Sequence, residues 1–479
     1  MMKVPRHVKA KTRHPQRPGL ASPWVVAWLM ALSASSAGAQ SLGELWERMT
    51  AFDPTLLGAV AQTRAAGDRV EQARGALLPQ IQLTANTPHN ARRYSVTGEE
   101  PATTSDRYNS NGVQLSISQA LIKRAESSAH AQSRAALEQA VQQLQATKQE
   151  MLLKLVTTWA EALYARDALK SASAVERVTA RQLQSTERGF ALGIFSLSQR
   201  DDARARMQQA IADRHTAESE QVIRHAALQQ LVGQIPELRD EPLNVQPQRI
   251  PYGSLPDLSQ TAQAIDDTHP GVLAAMHALR VAREETTKQS AAYWPTLELV
   301  ASHARNNQPS TGTTPSQAGY RSRVDSVSVQ LSVPLYSGGV RDAKVREAVN
   351  LEAKARFDVE LARRTALSAV HQGWSQLRAA QAKLESAEAS MTAGQSALSA
   401  ARAGLQNGTK TPTDELDAQR MIETAARDIR RAYYDNVINM ARVWAATGRL
   451  EEYSLEEMEH RMLQPTQIVA APAIRFVLD

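Results

Sequence analysis

Between Pro101 and Pro236 the chain contains no proline, and glycine occurs there only at positions 112, 189, 193 and 233. Proline stops helices by removing a donor and clashing with the preceding turn, so a proline-free stretch rich in Ala, Gln, Glu, Arg and Leu offers little to end a helix once begun. The interval from Ile122 to Arg188 therefore predicts one continuous helix. At 1.5 Å per residue, roughly 65 residues make a rod about 100 Å long. No globular core has room for such a rod, which must pack lengthwise against others.

The second half of the chain shows how. Val370, Leu377, Leu384, Met391 and Leu398 recur every seven residues, and Gly373, Ala380, Ala387, Gly394 and Ala401 fill the intervening line. This is a heptad seam, large on one line and small on the other, which lets neighbouring backbones approach closely. An earlier and looser series is Leu155, Ala162, Ala165, Leu169, Ala172 and Leu183. Both stripes are packing and imply no cofactor. Each rod breaks at a turn, Gly189 and Gly193 preceding Ser196-Leu197-Ser198, and Gly404 and Gly408 preceding Thr411-Pro412-Thr413. Helical pattern then resumes, with Ser198 and Thr411 as expected N-caps and Pro412 in the first turn. The result is two helical hairpins whose returning arms end near Gly233 and Gly448.

The hairpins belong to a duplication. Pro54, Leu57, Arg64 and Pro79 recur 216 positions later as Pro270, Leu273, Arg280 and Pro295, and Val113-Gln114-Leu115-Ser116 recurs as Val329-Gln330-Leu331-Ser332. Further on the offset is 215, relating Gly193, Asp202-Ala203 and Gly233 to Gly408, Asp417-Ala418 and Gly448. A unit far longer than the roughly 20 to 50 residues of solenoid repeats is a duplicated domain-sized element.

Each copy also carries two stretches that alternate polar with apolar: 80–84 and 113–117 in the first, 296–299 and 326–333 in the second. These predict strands, joined within each copy by polar loops at 93–108 and 309–322. Four strands cannot close a barrel, since single-chain membrane barrels have about 8 or more, and an open edge in lipid leaves peptide groups unpaired. If the strands meet lipid, several chains share one barrel.

Lys3, Arg6, Lys9, Lys11, Arg13 and Arg17 precede an apolar run from Trp24 to Leu32 and the small residues Ala37-Gly38-Ala39, the pattern of an export signal. Its removal would take six basic residues and no acidic one from a net charge of +6, leaving a nearly neutral protein. With aromatic residues at only 5%, nucleic acid is not an expected partner. Absence of cysteine excludes disulfides and thiol catalysis, and leaves no acylation site for a lipoprotein. No later stretch approaches 18 continuous apolar residues, so a membrane role would fall to strands. The expected organisation is a signal peptide at 1–39, a first structural repeat at 40–233, an inter-repeat linker at 234–268, a second repeat at 269–452 and a tail at 453–479.

With these features the chain resembles the TolC family of outer-membrane factors from Gram-negative bacteria. The resemblance covers nearly all of the mature sequence. It rests on the duplication, on Leu78-Pro79 and Trp294-Pro295 before strands, on the Val-Pro-Leu-Tyr-Ser-Gly-Gly run at 333–339 and on the turn at 408–418. It implies a mainly α fold with a β-barrel portion: long coiled-coil hairpins form an α-barrel, and four membrane strands per chain complete a twelve-stranded barrel in a homotrimer. It further implies an outer-membrane location with a periplasmic tunnel, acting as a passive exit duct for type I protein secretion, small-molecule efflux, or both. The implied partners are outer-membrane lipid, a periplasmic adaptor (membrane fusion protein) and an inner-membrane ABC or proton-driven transporter.

By the same resemblance Asp414 and Asp417 match aspartates that line the periplasmic entrance. They lie three apart, on one helix face. In a trimer they would form two rings of carboxylates, favouring cations. The bland alternative is that they merely favour the positive end of a helix dipole or complete a cap with Thr411. Asp201 and Asp202 have only that bland reading. Gln199, Leu405 and Lys410 stand at the positions of the family's entrance-gate contacts, where the familiar pattern has aspartate, tyrosine and arginine. Lys410 can still hydrogen-bond Gln199, but no salt bridge between them is possible.

An enzyme would need a catalytic constellation. The eleven histidines are scattered, His215 and His225 lack zinc-motif spacing, and neither a phosphate loop nor a nucleophile elbow occurs. Neither a metal nor any other cofactor is expected. A soluble periplasmic coiled-coil scaffold or adaptor accounts for the heptads but leaves the alternating strands unexplained.

Overall fold

The computed structural model describes residues 41–96, 102–233, 264–311, 318–410 and 412–455. The expected signal peptide, most of the linker and nearly all of the tail lie outside them.

The long helices form as their sequence dictates. Two short ones, α1 (Leu42–Phe52) and α2 (Pro54–Gly75), are capped by Ser41 and by Asp53, whose Oδ1 accepts from the Thr55 and Leu56 amides. After four strands, α3 (Arg124–Ala191) runs for 68 residues, about 100 Å, and α4 (Leu197–Val232) returns beside it. The second copy repeats the plan with α5 (Pro270–Ser290), two strands, α6 (Val340–Gln406, 67 residues) and α7 (Pro412–Ala446). Among the described residues no helix is long and apolar enough to cross a membrane.

Packing follows the small line of the seam. Gly373, Ala380, Ala387, Gly394 and Ala401 are all buried, while Met391 and Leu398 at the end of the large line are half-exposed. A Cβ on Gly373 would stand 3.0 Å from Val443, and one on Gly394 3.0 Å from Ile422 and 3.3 Å from its backbone nitrogen. The returning arm offers Ala418, Ala425 and Ala432, again seven apart and buried. The two backbones thus approach as closely as the absence of side chains allows.

Neighbouring helices lie in a single layer, four wide. Near the strands the order is α2, α3, α5, α6, and toward the tips it is α4, α3, α7, α6, so α3 and α6 run the full length while shorter helices meet end to end beside them. One apolar cluster joins Leu42, Leu45, Trp46 and Met49 of α1 to Leu155, Val156 and Trp159 of α3, Leu228 and Leu231 of α4, and Tyr434, Ile438 and Ala441 of α7. Within it the Tyr434 hydroxyl donates to Asp167 (2.9 Å), which also holds Arg166. Burial first, then the Asp167 charge, raise the Tyr434 pKa well above its ordinary value. Where α5 and α7 meet, Gly448 has φ +72°, and an added Cβ would lie 2.3 Å from the Thr268 carbonyl oxygen, so only glycine fits.

His269, before α5, is mostly buried and its Nδ1 has no partner. Burial lowers its pKa, so the folded state disfavours the proton that the unfolded state accepts. Stability is then full above the unfolded value near 6.5 and falls as pH drops below it. Thermal melts of His269→Asn are expected to show a flatter decline than wild type between pH 6.5 and 5, by at most ~1.4 kcal/mol per pH unit for one proton. Identical slopes would remove His269 from this role.

The sheet carries the strands β1 (Gln80–Asn86), β4 (Asn111–Ile122), β5 (Thr296–Gln308) and β6 (Tyr320–Ser332) in that spatial order, all antiparallel. Each strand is continuous with the helix of the same rank in the layer. One face is apolar and exposed near the helices: Ile81 opposes Ile117, which opposes Ala301, which opposes Val327, while the next row runs Leu83, Leu115, His303, Asp325. The other face is lined with Ser, Thr and Gln: Gln82, Ser116, Ser302 and Ser326 lie abreast on it. Where sheet meets helices, Lys123 pairs with Glu298 at 3.4 Å and Arg124 stacks on Trp294.

The loop expected at 93–108 is instead largely a second hairpin, β2 (His89–Val96) with β3 (Ala102–Asn109). It lacks apolar alternation because it is held by polar cross-strand pairs, notably Arg92 with a buried Asp106 at 2.8 Å. Of the second loop, residues 312–317 lie outside the described set, and its last positions already belong to β6.

Candidate functional site at the helical tips

Both hairpins turn by the same device. Gly193 and Gly408 take φ of +76° and +69°, a left-handed conformation that glycine adopts without the Cβ penalty. The Ile194 amide then reaches back to the Gly189 carbonyl, and the Thr409 amide to that of Gly404, each at 2.8 Å. The equivalent residues Phe195 and Lys410 fold over Gly189 and Gly404, where a Cβ would meet them at 2.2 and 2.4 Å. The glycines are therefore required twice, once for the backbone and once for the side chain lying on it.

The N-cap of α4 is Ser196, not Ser198. Its hydroxyl accepts from the Gln199 amide while Gln199 Oε1 accepts from the Ser196 amide, a reciprocal capping box. The Ser-x-x-Gln pattern at 196–199 is the sequence signature of this cap. Thr411 lies outside the described residues.

Gln199 is engaged locally, and Lys410 lies 3.8 Å from Asp414, one turn along, so within one chain the two do not bond each other. Leu405 is half-buried at the end of α6, and its carbonyl accepts from the Gly408 amide.

Asp417 is exposed, and Arg206 of α4 reaches it at 3.4 Å while also holding Asp202 at 2.9 Å. The two carboxylates are equivalents in the duplication, so one guanidinium bridges both hairpins across their pseudo-symmetry. Asp202, which by sequence has only the bland helix-dipole reading, belongs to this cluster, and so does Arg206, which the motifs do not single out. The signal existed: Asp202 and Arg206 are four apart on a helix, and Asp202-Ala203 matches Asp417-Ala418. Each hairpin is tied within itself by Arg204–Glu187 and Arg402–Glu415, both at 2.9 Å. Exposed pairs of this kind contribute ~0–1 kcal/mol each. They orient the tips more than they stabilise the fold.

Chemically the cluster is an ionic network in water, with carboxylates available to cations wherever Arg206 releases them. Among the described residues no group of three or more acidic or histidine side chains could hold a metal.

Comparison with known proteins bears on what this geometry serves. The family model described as outer membrane efflux protein matches residues 45–234 and 262–449. Outer membrane protein TolC of Vibrio cholerae is 27% identical over 437 residues, covering 91% of this chain and 97% of that protein. Alkaline protease secretion protein AprF of Pseudomonas aeruginosa is 27% identical over 441 residues, 90% of this chain and 89% of its own. The crystal structure of outer membrane protein VceC from Vibrio cholerae aligns with a TM-score of 0.70 at 17% identity, covering 85% of this chain and 96% of that one.

Proposed function

The chain belongs to the outer membrane efflux protein family, and from that premise we propose that three copies enclose one conduit that carries exported protein from a periplasmic entrance through the outer membrane. The protein is an outer-membrane channel. The observation that carries the trimer is the matched incompleteness of its two layers. A sheet four strands wide, open at β1 and β6, continues into a helical layer four wide, and neither can close on itself. Three copies joined β6 to β1 give twelve strands, apolar face to lipid and Ser/Gln face to the lumen. The same rotation closes the helices into a tunnel of about 100 Å.

Residues 40–233 and 269–452 then act as two structural repeats within the wall, with 234–268 connecting them and 453–479 as a tail. No energy source lies in such a duct, so an inner-membrane transporter and a periplasmic adaptor supply drive and selection. Protein export is favoured over small-molecule efflux by likeness to a relative named for protease secretion and by the paired aspartates at the tips. Efflux is the second reading, favoured by the family's description.

Asp414 and Asp417 line the entrance, gated with Gln199, Leu405 and Lys410. In planar bilayers Asp414→Ala/Asp417→Ala is expected to lower cation preference several-fold and to weaken block by multivalent cations. Unchanged selectivity removes these residues from the pore. Fractionation with unheated gel electrophoresis tests the assembly; a monomer in the soluble fraction overturns it.

A further inference from the structure

The apolar face of the sheet changes character at the end remote from the helices. On β6 the outward positions Leu331, Val329 and Val327 are followed by Asp325 and Arg323, and on β5 Ala301 is followed by His303 and Arg305. Register pairs His303 with Asp325, hydrogen-bonded between Nδ1 and Oδ1, and next Arg305 with Arg323. Two guanidiniums thus stand directly opposite each other, an arrangement that repels in a sheet. Both are exposed, and among the described residues neither has an ion-pair or hydrogen-bond partner. The one acid beside them on this face is occupied by His303, and Arg321, two positions on, donates to Asn307 at 3.3 Å. Abreast of the arginines, β4 and β1 still present Val113 and Ala85.

Depth places this pair. Arg323 lies eight positions from Leu331, ~27 Å along a strand at 3.4 Å per residue and ~20 Å along the normal at a tilt of about 40°. An outer-membrane barrel carries an apolar band about 25 Å tall. All four strands join their helices at the Leu331 end, so the arginines sit at the outer boundary of the band, stems along apolar surface and heads at headgroup level.

We propose that Arg305 and Arg323 form a binding site for the phosphate groups of phosphorylated glycolipid, the lipid A of the outer leaflet, repeated in each subunit. Planar guanidiniums take phosphate oxygens through paired hydrogen bonds, and a shared anion turns their mutual repulsion into a bridge. The proposal rests on the reading that this sheet face meets lipid.

The test reconstitutes full-length protein into phosphatidylcholine vesicles doped with diphosphoryl lipid A, with dephosphorylated lipid A or with phosphatidylglycerol. Flotation reports incorporation, and mass spectrometry of the re-extracted oligomer reports retained lipid. Wild type is expected to retain diphosphoryl lipid A above both controls, with R305Q/R323Q retaining ~10-fold less and R305K/R323K falling between, since lysine is a point charge. Equal retention by wild type and the glutamine variant overturns the proposal, as does wild type holding phosphatidylglycerol equally well. Should the glutamine variant fail to assemble, wild-type retention by the lysine variant is itself the overturning result. Wild type that does not float with vesicles overturns the lipid-facing reading and the site together.

Discussion

Leu384→Glu is expected to abolish the stable oligomer, read as loss of the slow band on unheated gels and a lower helical melting temperature. Leu384 is 5% exposed. Gly373 against Val443 and Gly394 against Ile422 set the antiparallel register, and on that register Leu384 lies level with Ala432. A carboxylate there has no room to leave the seam and faces small side chains. Leaving a buried charge uncompensated costs ~3–5 kcal/mol, a large share of the ~5–15 kcal/mol that holds a typical protein folded. Leu384→Met, which keeps volume and polarity, should cost less than ~1.5 kcal/mol and assemble normally. A wild-type melt for the glutamate variant would mean that α6 does not pack on this line.

Reversing the charge at position 206 is expected to act on passage instead of assembly. Arg206 holds Asp202 and Asp417 together across the two hairpins, so Arg206→Glu replaces two attractions by two repulsions at one point. Each exposed pair amounts to ~1 kcal/mol or less, too little to unfold helices of this length. In a trimer, however, three such contacts act on one aperture, and the tips have little else between α4 and α7. Planar-bilayer recordings should show a several-fold rise in cation conductance, shrinking toward wild type near 1 M salt, where the screening length falls to ~3 Å. The double variant Arg206→Glu/Asp417→Arg re-forms only the cross-hairpin pair, Asp202 remaining repelled, and should bring the conductance part of the way back, with cation preference lowered by the loss of the Asp417 carboxylate. No change at low salt would assign the bridge to orientation of the tips alone.

The two predictions draw on information of different origin. The seam that Leu384 occupies was legible in the sequence, because heptad spacing, with Gly or Ala on one line and larger residues on the other, is a local pattern. So were the hairpin turns, through their paired glycines, and the four alternating strands. The β2–β3 hairpin was not, since its cross-strand partners are mostly polar, with one ion pair, Arg92–Asp106, and carry no apolar period. Within one chain Gln199 Oε1 is taken by the Ser196 backbone amide, because a group three residues away reaches it more cheaply in entropy than a side chain on another helix.

What the sequence determined by itself is therefore whatever repeats along one dimension: helix length, seam, turn glycines, strand alternation and the duplication that writes them twice. Only the tertiary structure decided which residues meet across the layer. Arg206 bridges two equivalent aspartates, and Arg305 stands opposite Arg323, because helix packing and sheet register carry residues far apart in the chain to within a few ångströms of each other. Periodicity dictates which face a side chain occupies, but the partner on the neighbouring element is set by register and axial stagger. Those are fixed by close packing at positions such as Gly394 and by the ladder of backbone hydrogen bonds in the sheet.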